Sequence, residues 1–188
     1  MCPTVDVTDA GELATVATTL SIAHPTGYPL FTLLGRCVVM IPLGAEEIFR
    51  LNILAAFETA AAAGVFLLLV MSFIDASKTF PVRRRNPLNE SEKLIVGVST
   101  SLIFAFCTTV WLQSTSVEVY SLHILLLVLT CLFFIKGVEE QMLIASSTSR
   151  FFFFFAFVLG LSFTNHMTTI LLAPAFLYLY FSSFGFTR

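Results

Sequence analysis

Long hydrophobic blocks separated by short polar segments make up most of this chain. A helix needs about twenty apolar residues to cross a bilayer, and the blocks that approach this length predict membrane spans near 53–74, 94–110, 121–135, 151–163 and 167–184. The polar segments Asp75–Lys93 and Lys136–Arg150 are expected to be loops. The pattern therefore predicts an all-α fold, with a polytopic transmembrane helical bundle over residues 53–188.

The last hydrophobic block, Phe151–Phe184, is too long for one ordinary span. A single helix of this length would reach roughly 50 Å, against about 30 Å of hydrocarbon. The polar group Thr164-Asn165-His166 lies near its middle, and we predict a break there. The alternative is one long tilted helix that is kinked at Pro174 and buries His166.

Residues 1–52 are predicted to form a separate lumenal or interfacial region. Asp9 can cap a helix while Glu12, three residues on, reaches back to its amide in a capping-box arrangement. The apolar positions that follow share one helical face: Leu13, Val16, Ala17 and Leu20. This pattern is typical of a short helix that lies on a surface.

A rigid turn and a second short helix follow this surface helix. Pro25 biases His24 away from helical geometry, and Gly27 allows a tight turn before Tyr28 and Pro29. The apolar segment 30–41 is too short for a span, so we predict an interfacial or re-entrant helix there.

Composition supports membrane insertion. The chain is 57% hydrophobic and only 12% charged, whereas soluble domains carry about 25% charged residues. Glu58 is the only ionisable group inside the first predicted span and is expected to face protein or water. The cysteines show no disulfide or zinc spacing. No phosphate loop or nucleic-acid motif is present, so nucleic acid is not an expected partner.

The distribution of basic residues predicts the orientation of the bundle. Arg83, Arg84 and Arg85 place their loop in the cytoplasm by the positive-inside rule. The alternation of spans then gathers the site-like residues on the opposite face: Asp9, Glu12, His24, Tyr28, Trp111, Glu118, Tyr120, His123, Asn165 and His166. This convergence favours a functional site on the non-cytoplasmic side.

Three blocks of this sequence resemble a known family. They are DAGEL…IAHPTGYPLFTLLG, W.QSTSVEVYSLH and LGLSFTNHMTTILLAPA, in this order and over nearly the whole chain. They resemble the membrane protein O-mannosyltransferases that modify IPT domains of plexins and Met-type receptors. The resemblance implies a GT-C fold with the active site in the first lumenal loop. It implies no cofactor, because the mannose donor is itself a polyprenyl-phosphate lipid, dolichyl phosphate mannose in eukaryotes.

The resemblance also implies roles for individual residues. Asp9 would be the general base that activates an acceptor Ser or Thr hydroxyl, and Glu12 would support it. The remaining residues would bind substrate or donor: His24, Tyr28, Trp111, Glu118, Tyr120, His123, Asn165 and His166. The implied partners are membrane lipid, the polyprenyl-phosphate sugar and an acceptor protein, in the endoplasmic reticulum membrane if the source is eukaryotic.

The chain departs from the family at its start. Family members have a transmembrane helix ahead of the acidic loop, whereas Met1 lies eight residues before Asp9. We therefore expect a truncated fragment that is itself inactive. Two other classes stay open: a transporter or channel in which Glu58 lines a pathway, and a non-catalytic lipid-binding membrane protein. No local ligand spacing supports a metal site at the histidines.

Overall fold

A computed structural model describes residues 9–25, 27–42, 44–79, 88–143 and 149–185. The regular structure within these ranges is helical, as predicted. The helices are α1 (Ala10–Thr19), α2 (Pro29–Val39), α3 (Glu47–Thr79), α4 (Glu90–Phe106), α5 (Thr108–Gln113), α6 (Val119–Leu143), α7 (Arg150–Asn165), the 3₁₀ segment Met167–Leu172 and α8 (Ala173–Phe184). The loop with Arg83–Arg85, on which the predicted orientation depends, lies outside the described residues.

Helices α1 and α2 form a closely packed pair. Leu13, Val16 and Ala17 of α1 are buried, as the pattern predicted. A Cβ at Gly35 of α2 would lie 2.8 Å from the Ala17 Cβ, so only glycine permits this approach. Leu20 was expected on the same face but is 53% exposed, because it ends α1 in a left-handed conformation.

The predicted capping box at the start of α1 is wrong. Asp9 is the N-cap residue, but its side chain makes no capping hydrogen bond. Its backbone is in the right-handed helical region (φ −102°, ψ −10°), whereas a capping residue is typically extended. Glu12 instead bonds His24, because a tertiary partner with two donors satisfies the carboxylate better than one local amide.

Among the described residues, three helical segments are long and apolar enough to cross a membrane: Glu47–Ala76, Val119–Leu143 and Met167–Phe184. Helices α3 and α6 pack against each other at the centre of the bundle. They contain the predicted spans 53–74 and 121–135 but extend beyond both. Glu58 on α3 is buried at 4% exposure, which confirms that it faces protein.

The predicted loop Lys136–Arg150 is wrong over its first half, because α6 continues to Leu143. Apolar residues still cover one face of this extension: Val138 is buried and Met142 packs against the same cluster. Gly137 lets the Phe152 ring of α7 approach, at 2.9 Å from an ideal Cβ. Burial of this face sustains the helix through its polar residues.

The predicted span 94–110 is not one continuous helix. Helix α4 ends at Phe106, Cys107 is extended (φ −65°, ψ 142°) and the short α5 begins at Thr108. The Trp111 ring stacks on Phe106 with centroids 5.4 Å apart. Neither proline nor glycine marks this break, so local sequence does not signal it.

The predicted break near Asn165 is confirmed. Helix α7 ends at Asn165, and the 3₁₀ segment and α8 return along it. The returning direction follows from two ring contacts, Phe155 with Phe176 at 5.3 Å and Phe152 with Tyr180 at 6.2 Å. The alternative of one long kinked helix is excluded, and His166 lies at the turn of an antiparallel hairpin.

The predicted division of the chain at residue 52 concerns position relative to a bilayer and stays a prediction. In the structure residue 52 lies inside α3. Leu13 of α1 and Phe31 of α2 share one hydrophobic cluster with Leu122 of α6 and Val158 of α7. Helices α1 and α2 are therefore packed onto the bundle at the end where α6 begins.

Candidate functional site

A strained turn between α1 and α2 presents His24 and Tyr28. The Gly27 amide donates to the His24 carbonyl at 2.8 Å, and Gly27 has φ +86°. Tyr28 also has a positive φ, +43°, which is unusual for a bulky residue and costs of order 1–3 kcal/mol. The surrounding packing imposes this conformation, since Tyr28 is only 8% exposed.

Glu12, His24 and Tyr28 form a hydrogen-bonded chain. The Glu12 carboxylate accepts from the His24 backbone N–H at 2.7 Å and lies 3.2 Å from His24 Nδ1. The other ring nitrogen, Nε2, is 3.2 Å from the Tyr28 hydroxyl. The backbone and imidazole hydrogen bonds from His24 lower the pKa of Glu12. The carboxylate of α1 therefore fixes the ring of the following turn.

Tyr28 connects this chain to a second group of rings. Its ring stacks on His166, which follows α7, with centroids 6.1 Å apart. His166 also lies 4.9 Å from His123 and 5.5 Å from Tyr120, both in the first turns of α6. Three separate parts of the chain thus supply one half-buried aromatic site, and it contains all three histidines of the sequence.

Thr168 links the two histidines of this second group and was not identified from the sequence. Its hydroxyl lies 2.9 Å from His123 Nε2 and 2.8 Å from His166 Nδ1. Its backbone N–H also donates to His166 Nδ1, at 3.3 Å. The available signal was its position two residues after His166 in the segment where a break was predicted.

Carboxyl groups influence the titration of the buried groups of this site. Burial raises the pKa of Glu118, and the negative charge of Asp9 raises it further. Burial likewise raises the pKa of Tyr28, with contributions from Tyr120, Asp9 and Glu118. Asp9 itself is exposed at the start of α1. An exposed carboxylate such as Asp9 is accessible to a group that approaches from outside the protein.

Two predicted site residues have other surroundings. Asn165 is 1% exposed, and its amide donates to the Val119 carbonyl at 3.1 Å, which ties the end of α7 to the start of α6. Trp111 is half-exposed and, with Thr59 and Ser114, lines a separate crevice of about 330 Å³. The structure thus gives Asn165 a positioning contact and places Trp111 at a second cavity.

The residues brought together have defined chemical capacities. Exposed Asp9 can accept a proton, and the imidazoles and phenols can donate hydrogen bonds to anionic oxygens. Within the described ranges, no group of three His, Cys, Asp or Glu side chains is placed to hold a metal ion. Groups of these types serve in general acid–base chemistry and in the stabilisation of negative charge.

The fold and the site together define an α-helical membrane protein with a polar site at one end of its bundle. Residues 9–186 match the family model described as "Protein O-mannosyl-transferase TMEM260 N-terminal domain". The chain therefore belongs to this family, which confirms the resemblance found in the sequence.

Two curated relatives show the extent of the similarity. The chain is 30% identical over 164 residues to protein O-mannosyl-transferase TMEM260 of Mus musculus, which covers 87% of this chain and 20% of the mouse protein. It is 26% identical over 123 residues to protein O-mannosyl-transferase tmem260 of Dictyostelium discoideum, which covers 64% of this chain and 13% of the Dictyostelium protein. The chain thus spans about a fifth of the length of the mouse relative and a smaller share of the Dictyostelium relative. No solved structure matches it.

Proposed function

We propose that this chain contributes the active site of a membrane glycosyltransferase that transfers mannose to a Ser or Thr hydroxyl of an acceptor protein. The observation that carries the proposal is the family match over residues 9–186. The gathering of Glu12, His24, Tyr28, His123 and His166 supports it, because these side chains come from distant parts of the chain.

The donor in this proposal is a polyprenyl-phosphate sugar. The candidate site is formed at one end of helices that are apolar enough to cross a membrane. A lipid-borne donor would present its phosphate at that level without leaving the bilayer. We place the site on the non-cytoplasmic face of the membrane, in the endoplasmic reticulum of a eukaryotic source, where such lipids would meet acceptor proteins.

Asp9 is the proposed general base. A hydroxyl is a poor nucleophile until a positioned carboxylate takes its proton. Asp9 is exposed, and its negative charge is close enough to raise the pKa of the buried Tyr28 and of Glu118. Glu12 has a different proposed role, because its carboxylate is already hydrogen-bonded to His24. Glu12 is therefore proposed to orient His24 and Tyr28 and not to take the proton.

A chimaera tests the proposal, because this chain covers only part of its relatives. The chain replaces the matching segment of the mouse relative, and purified chimaera is given an acceptor domain with either dolichyl phosphate mannose or GDP-mannose. We expect mannose on Ser or Thr from the lipid donor alone, detected by mass spectrometry. Transfer from GDP-mannose without polyprenyl phosphate would refute the donor assignment.

The unmodified mouse protein is the control for a productive assay. If it transfers mannose while the chimaera folds, reaches the membrane and is inactive, the chain does not supply a working site. This result would refute the proposed function.

A further inference from the structure

For neutral imidazole rings, the hydrogen bonds of the three histidines define which ring nitrogen carries the proton. A carboxylate can only accept, so the Nδ1 of His24, 3.2 Å from Glu12, carries a proton. In the neutral ring Nε2 is then an acceptor, and it takes the Tyr28 hydroxyl proton at 3.2 Å. His24 is therefore the Nδ1–H tautomer.

His166 has the opposite tautomer. The backbone N–H of Thr168 can only donate, and it donates to His166 Nδ1 at 3.3 Å. This nitrogen therefore has no proton, and the neutral ring carries its proton on Nε2. The Thr168 hydroxyl, 2.8 Å from the same nitrogen, must then be a donor to it.

The Thr168 oxygen in turn defines His123. Since the hydroxyl proton is used on His166, the oxygen is an acceptor for His123 Nε2 at 2.9 Å. His123 is therefore also an Nε2–H tautomer, which leaves its buried Nδ1 as a lone pair without a partner among the described residues. One hydroxyl thus orients two rings.

We propose that Thr168 is a positioning residue that keeps the Nε2–H of His166 free, and that this N–H donates to an anionic phosphate oxygen of the lipid-linked donor. The ring lies between Tyr28, Tyr120 and His123, and no described residue hydrogen-bonds its Nε2. This inference rests on the proposed function for the identity of the ligand, while the tautomers follow from the structure alone.

The role of this N–H follows from the electron balance of the transfer. The acceptor oxygen forms a bond to the sugar C1 and its proton passes to Asp9. The bond from C1 to the phosphate oxygen breaks, and the leaving phosphate keeps the electron pair. A donor aimed at that oxygen stabilises the charge as it develops. His166 supplies this donor only if its proton is on Nε2.

Nitrogen-15 NMR of the histidine-labelled chain in detergent micelles tests the tautomers. The sequence contains only three histidines, so His→Gln variants assign every signal. We expect one Nδ1–H ring, His24, and two Nε2–H rings, His123 and His166. Addition of dolichyl phosphate, the probe for the lipid phosphate, should shift the His166 Nε2 signal. An Nδ1–H tautomer for His166, or no shift with dolichyl phosphate, would overturn the proposal.

Substitutions at Thr168 test whether this residue positions the His166 ring. Thr168 is exposed, so Thr168→Val is expected to fold. This variant should give a mixture of His166 tautomers and roughly tenfold slower transfer by the mouse chimaera, and Thr168→Ser should restore both. Thr164→Val is the matched control, since that hydroxyl only bonds the Leu161 carbonyl at 2.7 Å.

The two readouts separate the two hypotheses. If Thr168→Val leaves the His166 tautomer unchanged, the proposal that Thr168 keeps the proton of His166 on Nε2 is refuted. If the tautomers and the dolichyl phosphate shift are found but the unsubstituted chimaera transfers no mannose, the inference stands and the proposed function fails.

Discussion

Replacement of Glu58 tests whether a buried carboxyl in a membrane span needs a partner. Glu58 is the twelfth residue of α3, so it lies about 16 Å along the helix from its start. It is 4% exposed, and neither carboxyl oxygen has a hydrogen-bond partner among the described residues. We therefore expect Glu58→Gln and Glu58→Leu to insert and fold at least as well as the original chain.

The magnitude follows from the cost of a charged group within a span. That cost is about 2.5–3.5 kcal/mol at the centre of a helix and less toward its ends, whereas leucine contributes about −0.5 kcal/mol. Glu58→Leu should thus favour the inserted state by up to about 4 kcal/mol. The measurement is the denaturation midpoint of purified variants in bicelles, together with the fraction of protein recovered from membranes.

Lys93→Met is the contrasting variant. The Lys93 ammonium is also buried, but it has two partners, Asp75 at 2.9 Å and Glu90 at 2.6 Å. Its removal takes an ion pair away from each of these two carboxylates, so this variant should lose stability. If Glu58→Leu loses as much stability as Lys93→Met, the inference that Glu58 has no required partner is refuted. Ion flux in liposomes that disappears in Glu58→Gln would instead favour the transporter alternative.

Three further predictions concern the site and its orientation. Asp9→Asn in the mouse chimaera should lower transfer by roughly 10²–10⁴-fold with an unchanged melting temperature; near-normal turnover would refute Asp9 as the base. The pKa of Glu12 is lower in the folded chain than in the unfolded chain. The stabilising bond from Glu12 to His24 should therefore be present above the pKa that Glu12 has in the unfolded chain, and it should disappear as the pH falls through the pKa that Glu12 has in the folded chain. The melting temperatures of the original chain and of Glu12→Gln should thus converge in acid, and a difference that persists there would contradict this reasoning. Asn89 should carry no glycan in a eukaryotic host, and an endoglycosidase-sensitive glycan there would reverse the predicted topology.

The parts of the fold that sequence predicts are those that depend on local composition. The polar group at Asn165 interrupts a hydrophobic block that is longer than a bilayer is thick, so a break there was predictable. The buried face of α1 follows from helical spacing. By contrast, the end of α6 depends on the packing of Gly137 against Phe152 of another helix, which no local pattern contains.

The site shows the same division between local and tertiary information. The residue types and their common side of the bundle were predictable from motifs and span alternation. The partner of Glu12 was not, since a capping box is the local alternative for Glu at this position. His24 lies twelve residues away and becomes available only when the turn folds onto α1. The bridge made by Thr168 likewise exists only once α6 and the α7 hairpin are packed together.

The stacking of Tyr28 on His166 makes the site depend on the docking of α1 and α2. Glu12 and His24 orient Tyr28 from one side, and Thr168 orients His166 from the other. The two hydrogen-bonded units lie on separate parts of the chain and meet at this ring contact. A shift of the α1–α2 pair would therefore displace Asp9 and Tyr28 together relative to His166. In the proposed reaction these groups need near-contact geometry, and we propose that the strained turn at Tyr28 holds this relative position.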